Sequence, residues 1–304
     1  MQTLNPDYFL KIVECGSLTK AAEELIVSQP SLSQYIRRLE RSLDAKLFDR
    51  KSSPMKLTYT GERYYQYALK LRDMNRNMRN EIADIQNQTS GRLKLGVTLW
   101  RGACLLPDIY PEFNSEYPNI KIELFEGRFN RLQRALMNNM IDIAVAPMPR
   151  SANFGELFYE TLLEERIFLA VPSNHPYVLS LNGKNSAGLD IFSQIPLIIT
   201  KPGQNLTYEV ESFFAKNHVD PIILFDTDNL TTAINLVAEG IACTFVPEEG
   251  AKICRREGRV TFLMTEPQIL VWDLVAVYKK GSYLNNISRT FIDFMKRHFS
   301  EAKA

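Results

Sequence analysis

Histidine and cysteine are scarce in this chain of 304 residues, and their scarcity argues against recognisable metal centres. The chain has three histidines, none with an evident partner in the sequence, and four cysteines that form no C-x-x-C pair. Metal sites need several such ligands at short, regular spacings. We therefore expect no metal, no cofactor, and reduced thiols that serve as small apolar side chains. The residues are His175, His218, His298, Cys15, Cys104, Cys243 and Cys254.

Long apolar runs and catalytic signatures are missing as well. No stretch reaches the roughly eighteen apolar residues that a membrane span needs. The first residues include Asn5, Pro6 and Asp7, which do not suit a secretion signal. A Ser-His-Asp arrangement, a glycine-rich phosphate loop and paired carboxylates at usable spacing are all absent. We expect a cytoplasmic protein that has no membrane partner and is not an enzyme.

The net charge is +1, yet charge is distributed unevenly along the chain. Residues 1–90 hold 14 basic and 11 acidic side chains, a net charge of +3, whereas residues 91–304 hold 22 and 24, a net charge of −2. Between Gln29 and Arg63, 8 basic side chains stand against 4 acidic ones. This modest excess supports a local contact with nucleic acid and does not establish one by itself.

Two short helices are predicted between Ser17 and Leu43. In the first, apolar side chains recur at spacings of three and four residues, and Ser17 is the expected N-cap. Ser28 caps the second helix, which tolerates Pro30 in its first turn and buries one apolar stripe. The opposite face carries short polar side chains followed by cations, namely Gln29, Ser31, Ser33, Gln34, Arg37, Arg38 and Arg41. Such a face suits base edges at its polar end and phosphates at its arginines.

Sequence motifs around these helices carry a family resemblance. They are S-x-T-x-A-A-x-x-L from Ser17, V-S-Q-P-S-L-S from Val27, I-x-x-L-E-x-x-L from Ile36, L-F-x-R from Leu47 and L-T-x-x-G from Leu57. The series resembles the winged helix-turn-helix of LysR-type transcriptional regulators. Asp44 departs from the family's usual glycine, but aspartate tolerates a left-handed backbone, so we expect the turn to survive. A helical pair packed inside an enzyme would fit the apolar stripes and not the polar face.

The polar face predicts contacts with double-stranded DNA. Major-groove base edges are assigned to Gln29, Pro30, Ser31, Ser33 and Gln34, and phosphates to Arg37 or Arg38. After Leu47 and Phe48, two short extended pieces around a Ser-Ser-Pro turn fit a wing hairpin. The cations of this wing, Arg50, Lys51 and Lys56, either meet phosphates or a minor groove or are ordinary solvated charges.

A long helix is predicted over about residues 60–90, where proline is absent and the last glycine before the boundary is Gly61. Its apolar side chains recur at heptad spacing on one side, namely Tyr64, Leu71, Met78 and Ile85 with Ala68, Met74 and Ile82. One such seam needs a partner, so we expect a two-helix dimer; packing on the following domain is the alternative. The resemblance implies the same, because LysR-type proteins dimerise through a linker helix. Pairing of dimers into tetramers and contact with RNA polymerase stay open.

Beyond residue 90, strand-like and helix-like segments alternate, which predicts an α/β domain of two lobes. The predicted segments include strands at 93–97, 120–125, 166–171, 197–200 and 222–225 and a helix at about 105–116. The resemblance implies a hinged effector-binding domain similar to periplasmic solute-binding proteins of type 2. The predicted domains are 1–59 (winged helix-turn-helix), 60–90 (linker helix) and 91–304 (effector-binding domain). Within the last, lobe I is expected at about 91–165 and 269–304, and lobe II at about 166–268.

Ligands of open α/β sheets gather at the carboxyl ends of strands, where helix N-termini converge. LysR-type proteins commonly hold effector contacts at two such ends that face each other, which implies Thr98, Trp100, Arg101 and Thr200 here. Met148 is a third candidate, although the family often has a polar residue near there. An arginine suits a carboxylate or phosphate and a tryptophan can stack on a ring, so we expect a small organic anion. The alternatives are a helix cap for Thr98, lobe packing for Trp100 and a surface cation for Arg101.

Two other functions stay open beside a dimeric, effector-responsive regulator. One keeps the DNA-binding unit and senses redox state through a thiol pair among Cys104, Cys243 and Cys254. Cys243, however, lies in a run typical of a buried strand, where a thiol is usually inert. The other is an enzyme with an attached DNA-binding unit, for which the sequence offers no catalytic arrangement.

Overall fold

The computed structural model describes residues 6–49, 54–85, 90–148, 155–253 and 258–301, apart from the side chains of 83, 252 and 253. The chain divides into two compact units, Met1–Asn87 and Gln88–Ala304. Several residues discussed from the sequence lie outside the described residues, namely Asn5, the wing candidates Arg50 and Lys51, the turn residues Ser52 and Ser53, and Cys254.

The first unit is a helical bundle with a two-stranded antiparallel hairpin. Its elements are α1 (Pro6–Cys15), α2 (Leu18–Glu24), α3 (Gln29–Ser42), β1 (Phe48–Asp49), β2 (Lys56–Leu57) and α4 (Tyr59–Ile85). Both predicted caps form: Ser17 Oγ accepts from the Lys20 amide at 3.5 Å and Ser28 Oγ from the Ser31 amide at 3.3 Å. These hydroxyls satisfy amides that a helix start leaves without intrahelical partners, so α2 and α3 begin directly after them.

Glu40 ties the end of α3 to the wing. Its buried carboxylate accepts the Leu47 amide at 3.0 Å and pairs with Lys46 Nζ at 3.1 Å. Burial alone would raise the pKa of Glu40, but the Leu47 amide and Lys46 bring this pKa below its usual value. The glutamate of the I-x-x-L-E motif is therefore a structural residue.

The L-T-x-x-G motif is explained by a close backbone approach. Thr58 Oγ1 donates to the Lys46 carbonyl at 2.6 Å and accepts from the Gly61 amide at 3.0 Å. A Cβ on Gly61 would lie 2.0 Å from the Leu47 carbonyl oxygen, so only glycine fits.

Asp44 has φ of 47°, which is the left-handed conformation expected from the sequence.

The two ends of α4 have different surroundings. Ala68 is fully buried in the core of the first unit, and the Tyr64 ring meets the Phe9 ring edge-on at 4.7 Å. The rest of the predicted seam is exposed, namely Leu71, Met74, Met78, Ile82 and Ile85. The sequence predicted that all seven side chains form one seam. Tyr64 and Ala68 instead pack in the core of the first unit, where α1 contacts α4, so this part of the prediction is corrected.

The second unit is built on a large mixed sheet. Its strands are β3 (Gly91–Val97), β4 (Ile120–Glu126), β5 (Ile143–Met148), β6 (Leu157–Pro172), β7 (Ser186–Ala187), β8 (Leu197–Thr200), β9 (Ile223–Thr227), β10 (Thr244–Pro247), β11 (Val260–Thr265) and β12 (Leu270–Lys279). The large sheet runs β4-β3-β5-β12-β6-β11-β7 in space, with β10 also paired to β6. Strands β8 and β9 form a small parallel sheet.

Helices pack around these sheets. They are α5 (Leu99–Glu116), α6 (Phe129–Met137), α7 (Pro176–Ser180), α8 (Asn205–Asn217), α9 (Leu230–Ala238), α10 (Glu248–Ile253) and α11 (Asn286–Glu301), with a short 3-10 helix at Leu189–Ser193. Helix α5 begins at Leu99 and not near Leu105 as predicted, because Thr98 is already its N-cap residue.

Strands β6 and β12 contribute to both of the two largest hydrophobic cores of this unit. Strand β6 was predicted only over 166–171, but it starts at Leu157 because its first half pairs antiparallel with β12. One core contains Leu163 and Leu274 with α5 and α11. The other contains Ile167 and Trp272 with α8 and α9. We call the parts around these two cores lobe I and lobe II, and the predicted lobe limits remain a proposal.

Candidate functional site

The exposed side of α3 is the candidate DNA-binding surface. Its exposed side chains are Gln29, Pro30, Ser31, Gln34, Arg37, Arg38 and Arg41. Short polar groups therefore lie at the start of α3, next to the Ser28 cap, and the arginines follow farther along the helix. This order suits base edges at one end and phosphates at the other. Lys56 of the wing is also exposed.

Ser33 was predicted to contact a base edge, but it is not one of the exposed side chains of α3. The residue is only 8% exposed, and its Oγ accepts a hydrogen bond from Arg37 Nη2 at 3.2 Å. Position 33 lies toward the core because its neighbours Leu32 and Ile36 are buried. The Ser33 hydroxyl therefore has Arg37 as a partner, and its predicted contact with a base edge remains a proposal.

A cavity of about 330 Å³ lies between lobes I and II of the second unit. Its walls are mostly apolar and aromatic, with a few polar groups, which is the composition of a small-molecule site. The lining residues are Thr98, Leu99, Trp100, Gly127, Arg128, Phe129, Pro147, Thr200, Gly203, Gln204, Asn205, Leu206, Asp228, Leu230, Pro247 and Trp272.

Three helices begin at the wall of this cavity without a side-chain cap. Thr98, Arg128 and Gln204 are the N-cap residues of α5, α6 and α8, and none of their side chains bonds to the helix start. Elsewhere α9 is capped by Asn229, whose Oδ1 accepts the Thr231 amide at 3.0 Å. Uncapped helix starts carry partial positive charge and amides suited to an anion.

Thr98 and Thr200 both line the cavity, but their hydroxyls have different surroundings. The Thr200 hydroxyl lies 2.6 Å from that of Thr207, which also contacts the Thr200 carbonyl at 2.7 Å and the Lys201 carbonyl at 3.0 Å. The Thr200 hydroxyl therefore already has a partner, whereas the Thr98 side chain forms no capping bond to α5.

Arg101 is not a cavity residue, which corrects its assignment as an effector contact. Its guanidinium is 1% exposed and forms a bidentate pair with the equally buried Glu165, at 3.1 and 2.5 Å. Glu165 also accepts Trp272 Nε1 at 2.7 Å and the Glu249 amide at 2.9 Å. The network joins α5 to β6, β12 and α10, so Arg101 holds the lobes instead of meeting a ligand.

Met148 was predicted as a third effector contact, but it lies outside the cavity lining. It is buried at the end of β5, where its Sδ lies 3.3 Å from Asn205 Nδ2, and it is not part of the cavity lining. The neighbouring Pro147 lines the cavity instead, and its carbonyl accepts from Asn205 Nδ2 at 2.5 Å. This bond links lobe I to the start of α8 in lobe II.

Trp100 was predicted to contact an effector, with packing between the lobes as the alternative, and its position fits both. Its indole lines the cavity and also covers Gly250 of α10, where an added Cβ would lie 1.7 Å from the ring. Trp100 is thus both lobe packing and cavity wall. Trp272 contributes the second indole of the lining, so both tryptophans of the chain border the cavity.

A charged pair at the cavity was not predicted from the sequence. Arg128, two residues after β4, forms an ion pair with Asp228, directly after β9, and the two residues are 100 positions apart. Ligands of open α/β sheets gather at the carboxyl ends of strands, so this general rule, applied to every strand, could have indicated both residues.

Within the described ranges, no cluster of three or more histidine, cysteine or acidic side chains is arranged to hold a metal ion. In the same ranges, no helix combines the length and apolar character that a bilayer crossing requires. Burial raises the pKa of the Cys243 thiol to about 12, which keeps it protonated near neutral pH.

A winged helix-turn-helix with an exposed polar helix, followed by an α/β unit with a cavity between its lobes, defines a class of transcription regulator. The model of the LysR substrate binding domain matches residues 86–300, and that of bacterial regulatory helix-turn-helix proteins of the lysR family matches residues 7–62. The chain belongs to this family: it is a LysR-type transcriptional regulator. The predicted fold class is thereby confirmed.

Known proteins resemble the chain over most of its length. The transcriptional regulator BenM of Acinetobacter baylyi is 33% identical over 254 residues, which cover 79% of this chain and 78% of BenM. A full-length OxyR variant from Pseudomonas aeruginosa has a TM-score of 0.73 at 19% identity, over 98% of this chain and 94% of that one. CbnR in complex with its target DNA has a TM-score of 0.60 at 20% identity, over 98% of this chain and 100% of that one.

Proposed function

We propose that this regulator binds operator DNA as a dimer through the exposed face of α3, and that a small organic anion in the interlobe cavity changes this binding. The observation that carries the ligand part is the cavity itself, at which three uncapped helices begin. A ligand that bridges Thr98 of lobe I and Thr200 of lobe II favours the closed arrangement by its differential affinity for that state.

Thr98→Val tests the ligand site because valine keeps the shape and removes the hydroxyl. Loss of one hydrogen bond weakens binding by about 0.5–1.5 kcal/mol, or roughly two- to tenfold. Native mass spectrometry of the purified protein identifies a co-purified effector, and calorimetry then compares wild type with the variant. Thr232→Val, on an exposed turn of α9 away from the lining, is the control. Equal affinities in all three proteins would move the site elsewhere.

Thr200→Val is a second, less selective test of the same site. It removes the Thr200 hydroxyl and with it the contact with the Thr207 hydroxyl. We expect a weaker effector response with unchanged DNA binding in the absence of effector, measured by mobility shift. Altered effector-free DNA binding would show that the variant disturbs the lobe and not only the ligand.

The DNA part is supported by the order of side chains along α3 and by the likeness to CbnR, which has been solved with its target DNA. Gln34→Ala should cost about 1–3 kcal/mol at the specific site and little on random DNA. Arg38→Gln should weaken all sequences alike and flatten the salt dependence. Equal losses of Gln34→Ala on both DNAs would contradict a base-reading role.

The dimer is proposed to form through the exposed stripe of α4. Leu71→Asp places a charge in that stripe and should shift the protein toward monomers in sedimentation. Gln66→Glu, at an exposed position on the opposite side of α4 from the stripe, is the control. If Leu71→Asp sediments as wild type does, another surface holds the chains together. Tetramers and a contact with RNA polymerase are candidates that extend this proposal.

A redox sensor on the same DNA-binding unit is the weaker alternative. Cys104 is buried on α5 in lobe I, and Cys243 lies in the core of lobe II with a raised pKa. Thiols of this kind react slowly because the thiolate is the reactive form. Titration of thiols in folded protein before and after peroxide distinguishes the two functions: we expect equal counts.

A further inference from the structure

Arg128 and Asp228 are the charged side chains of the cavity lining, and among the described residues that line it they are the only two. Arg128 follows β4 in lobe I and Asp228 follows β9 in lobe II, and the two side chains form an ion pair at the cavity wall. Both remain partly exposed, at 40% and 49% of their side-chain area. The pair is therefore accessible to a solute that enters the cavity.

Asp228 has more than one positive partner. Lys201 Nζ lies 3.6 Å from its Oδ2, and Gln204 Nε2 donates to its Oδ1 at 3.3 Å. The hydrogen bond from Arg128, with smaller contributions from Lys201, holds the pKa of Asp228 below its ordinary value. The group of Arg128, Lys201 and Asp228 thus carries a net charge of +1.

This charge distribution distinguishes between ligand classes. A cation that displaced Arg128 from Asp228 would leave the guanidinium beside a lining whose described residues include no other carboxylate. An anion that displaced Asp228 from Arg128 would leave the carboxylate with Lys201 and Gln204. Charged groups are costly to leave without a partner, so the exchange with an anion is the less costly of the two.

We propose that the ligand is a monoanion with an apolar body that replaces Asp228 as the partner of Arg128. This inference rests on the proposed function, since it assigns the ligand class and a specificity-determining residue to the same cavity. The apolar body lies against Trp100, Phe129 and Trp272, which form the aromatic part of the lining. In the absence of ligand, Asp228 forms the ion pair with Arg128. Every incoming anion must therefore compete with Asp228 for the Arg128 guanidinium.

The exchange predicts opposite effects of two charge-removing variants. Arg128→Gln removes the cation that binds the anion and should weaken binding about tenfold or more, as for a lost charge-assisted hydrogen bond. Asp228→Asn removes the competitor and should tighten binding by several-fold. Asp226→Asn and Arg131→Gln make the same charge changes at exposed positions outside the lining, and they serve as matched controls.

The probes are three monocarboxylates of different body, hexanoate, phenylacetate and 3-phenylpropionate, each paired with its neutral amide. Because both tryptophans border the cavity, tryptophan emission of the full-length protein reports binding directly. We expect at least one carboxylate to bind wild type better than its amide, Asp228→Asn more tightly, and Arg128→Gln least. The controls should match wild type.

Three outcomes would overturn the inference: amides that bind as well as carboxylates, an Asp228→Asn variant that binds no tighter than wild type, or no saturable change with any probe. A mobility shift separates this inference from the proposed function. A carboxylate that follows the expected order without altering DNA binding contradicts only the effector role. An effector that alters DNA binding equally in wild type and Arg128→Gln contradicts only the exchange.

Discussion

The helix-turn-helix unit and the interlobe cavity differ in how far apart along the chain their essential contacts lie. In the first unit, Ser28 caps the helix that begins at the next residue, and Glu40 accepts the amide of Leu47. In the second, Arg101 pairs with Glu165 across 64 positions, and Arg128 pairs with Asp228 across 100. A short motif therefore specifies the first unit, whereas the cavity depends on pairings that only the folded sheet creates.

The largest effect is expected where the long-range pairing is buried. Arg101→Met leaves Glu165 as an uncompensated buried charge, so we expect the free energy of unfolding of the second unit to fall by roughly 3–5 kcal/mol. Both tryptophans belong to this unit, so tryptophan emission during urea unfolding follows it selectively.

Lys296→Met on α11 is a contrasting control, because its partner Glu160 keeps Tyr278 and Arg289. We expect it to cost clearly less than Arg101→Met. Equal losses in the two variants would mean that burial of the Arg101–Glu165 pair does not set its importance.

Gly61→Ala should produce the next largest effect, in the first unit. The added Cβ would meet the Leu47 carbonyl oxygen at 2.0 Å, and a backbone atom cannot move away as a flexible side chain does. We expect a loss of about 1–3 kcal/mol, as for other overpacked sites. Helical circular dichroism should show the loss while the transition in tryptophan emission stays in place.

Gln66→Ala is the matched control for Gly61→Ala, since it also introduces alanine into α4 but at an exposed position opposite the stripe. It should be neutral or slightly stabilising because alanine favours helix. A Gly61→Ala variant as stable as this control would show that α4 can shift away from Leu47.

The local character of the first unit explains why its elements were predictable. Caps, apolar stripes and the left-handed Asp44 depend on neighbours within a few positions, so Ser17 and Ser28 marked the helix starts correctly. The hydrogen bond from Arg37 to the Ser33 hydroxyl has no such local signal, so the pattern did not indicate it.

The second unit was predictable in its alternation of elements and only partly in its site. Thr98 follows β3, Thr200 is the last residue of β8, and both line the cavity, as does Trp100. Arg101 was misassigned because its partner Glu165 lies on β6, whose first half the sequence pattern did not predict. A carboxylate in the middle of a crossing strand has no local signal that distinguishes it from a solvated one.

A substitution at Ile26 is expected to stabilise the first unit, in contrast to the destabilising changes above. It has φ of 57° and is 92% exposed in the turn between α2 and α3, so a β-branched side chain sits in a left-handed conformation without compensating burial. Ile26→Asn should raise the stability of the first unit by about 1 kcal/mol. Ile26→Val keeps the branching and should give no gain; a gain in both variants would point to solubility and not to backbone strain.

The smallest effect is expected at His298, on the surface of lobe I, and it depends on pH. Its Nδ1 lies 2.7 Å from Glu112 Oε2 and its Nε2 3.2 Å from Asp108 Oδ2. Burial alone would lower the pKa of His298, but hydrogen bonds with Glu112 and Asp108 raise it above its ordinary value. The protonated imidazole therefore stabilises the folded state.

Because the folded pKa of His298 is the higher one, its stabilisation is fully present below the unfolded value of about 6.5 and is lost as pH rises through the folded value. The difference in unfolding free energy between wild type and His298→Gln should thus be larger at about pH 5.5 than at about pH 8.5.

Glu160 is the control for this pH dependence. Burial alone would raise the pKa of Glu160, but Lys296, Tyr278 and Arg289 lower it to about 2. The cost of Glu160→Gln should therefore be constant over that range, and a His298→Gln cost that is equally constant would show that this imidazole acts through packing alone.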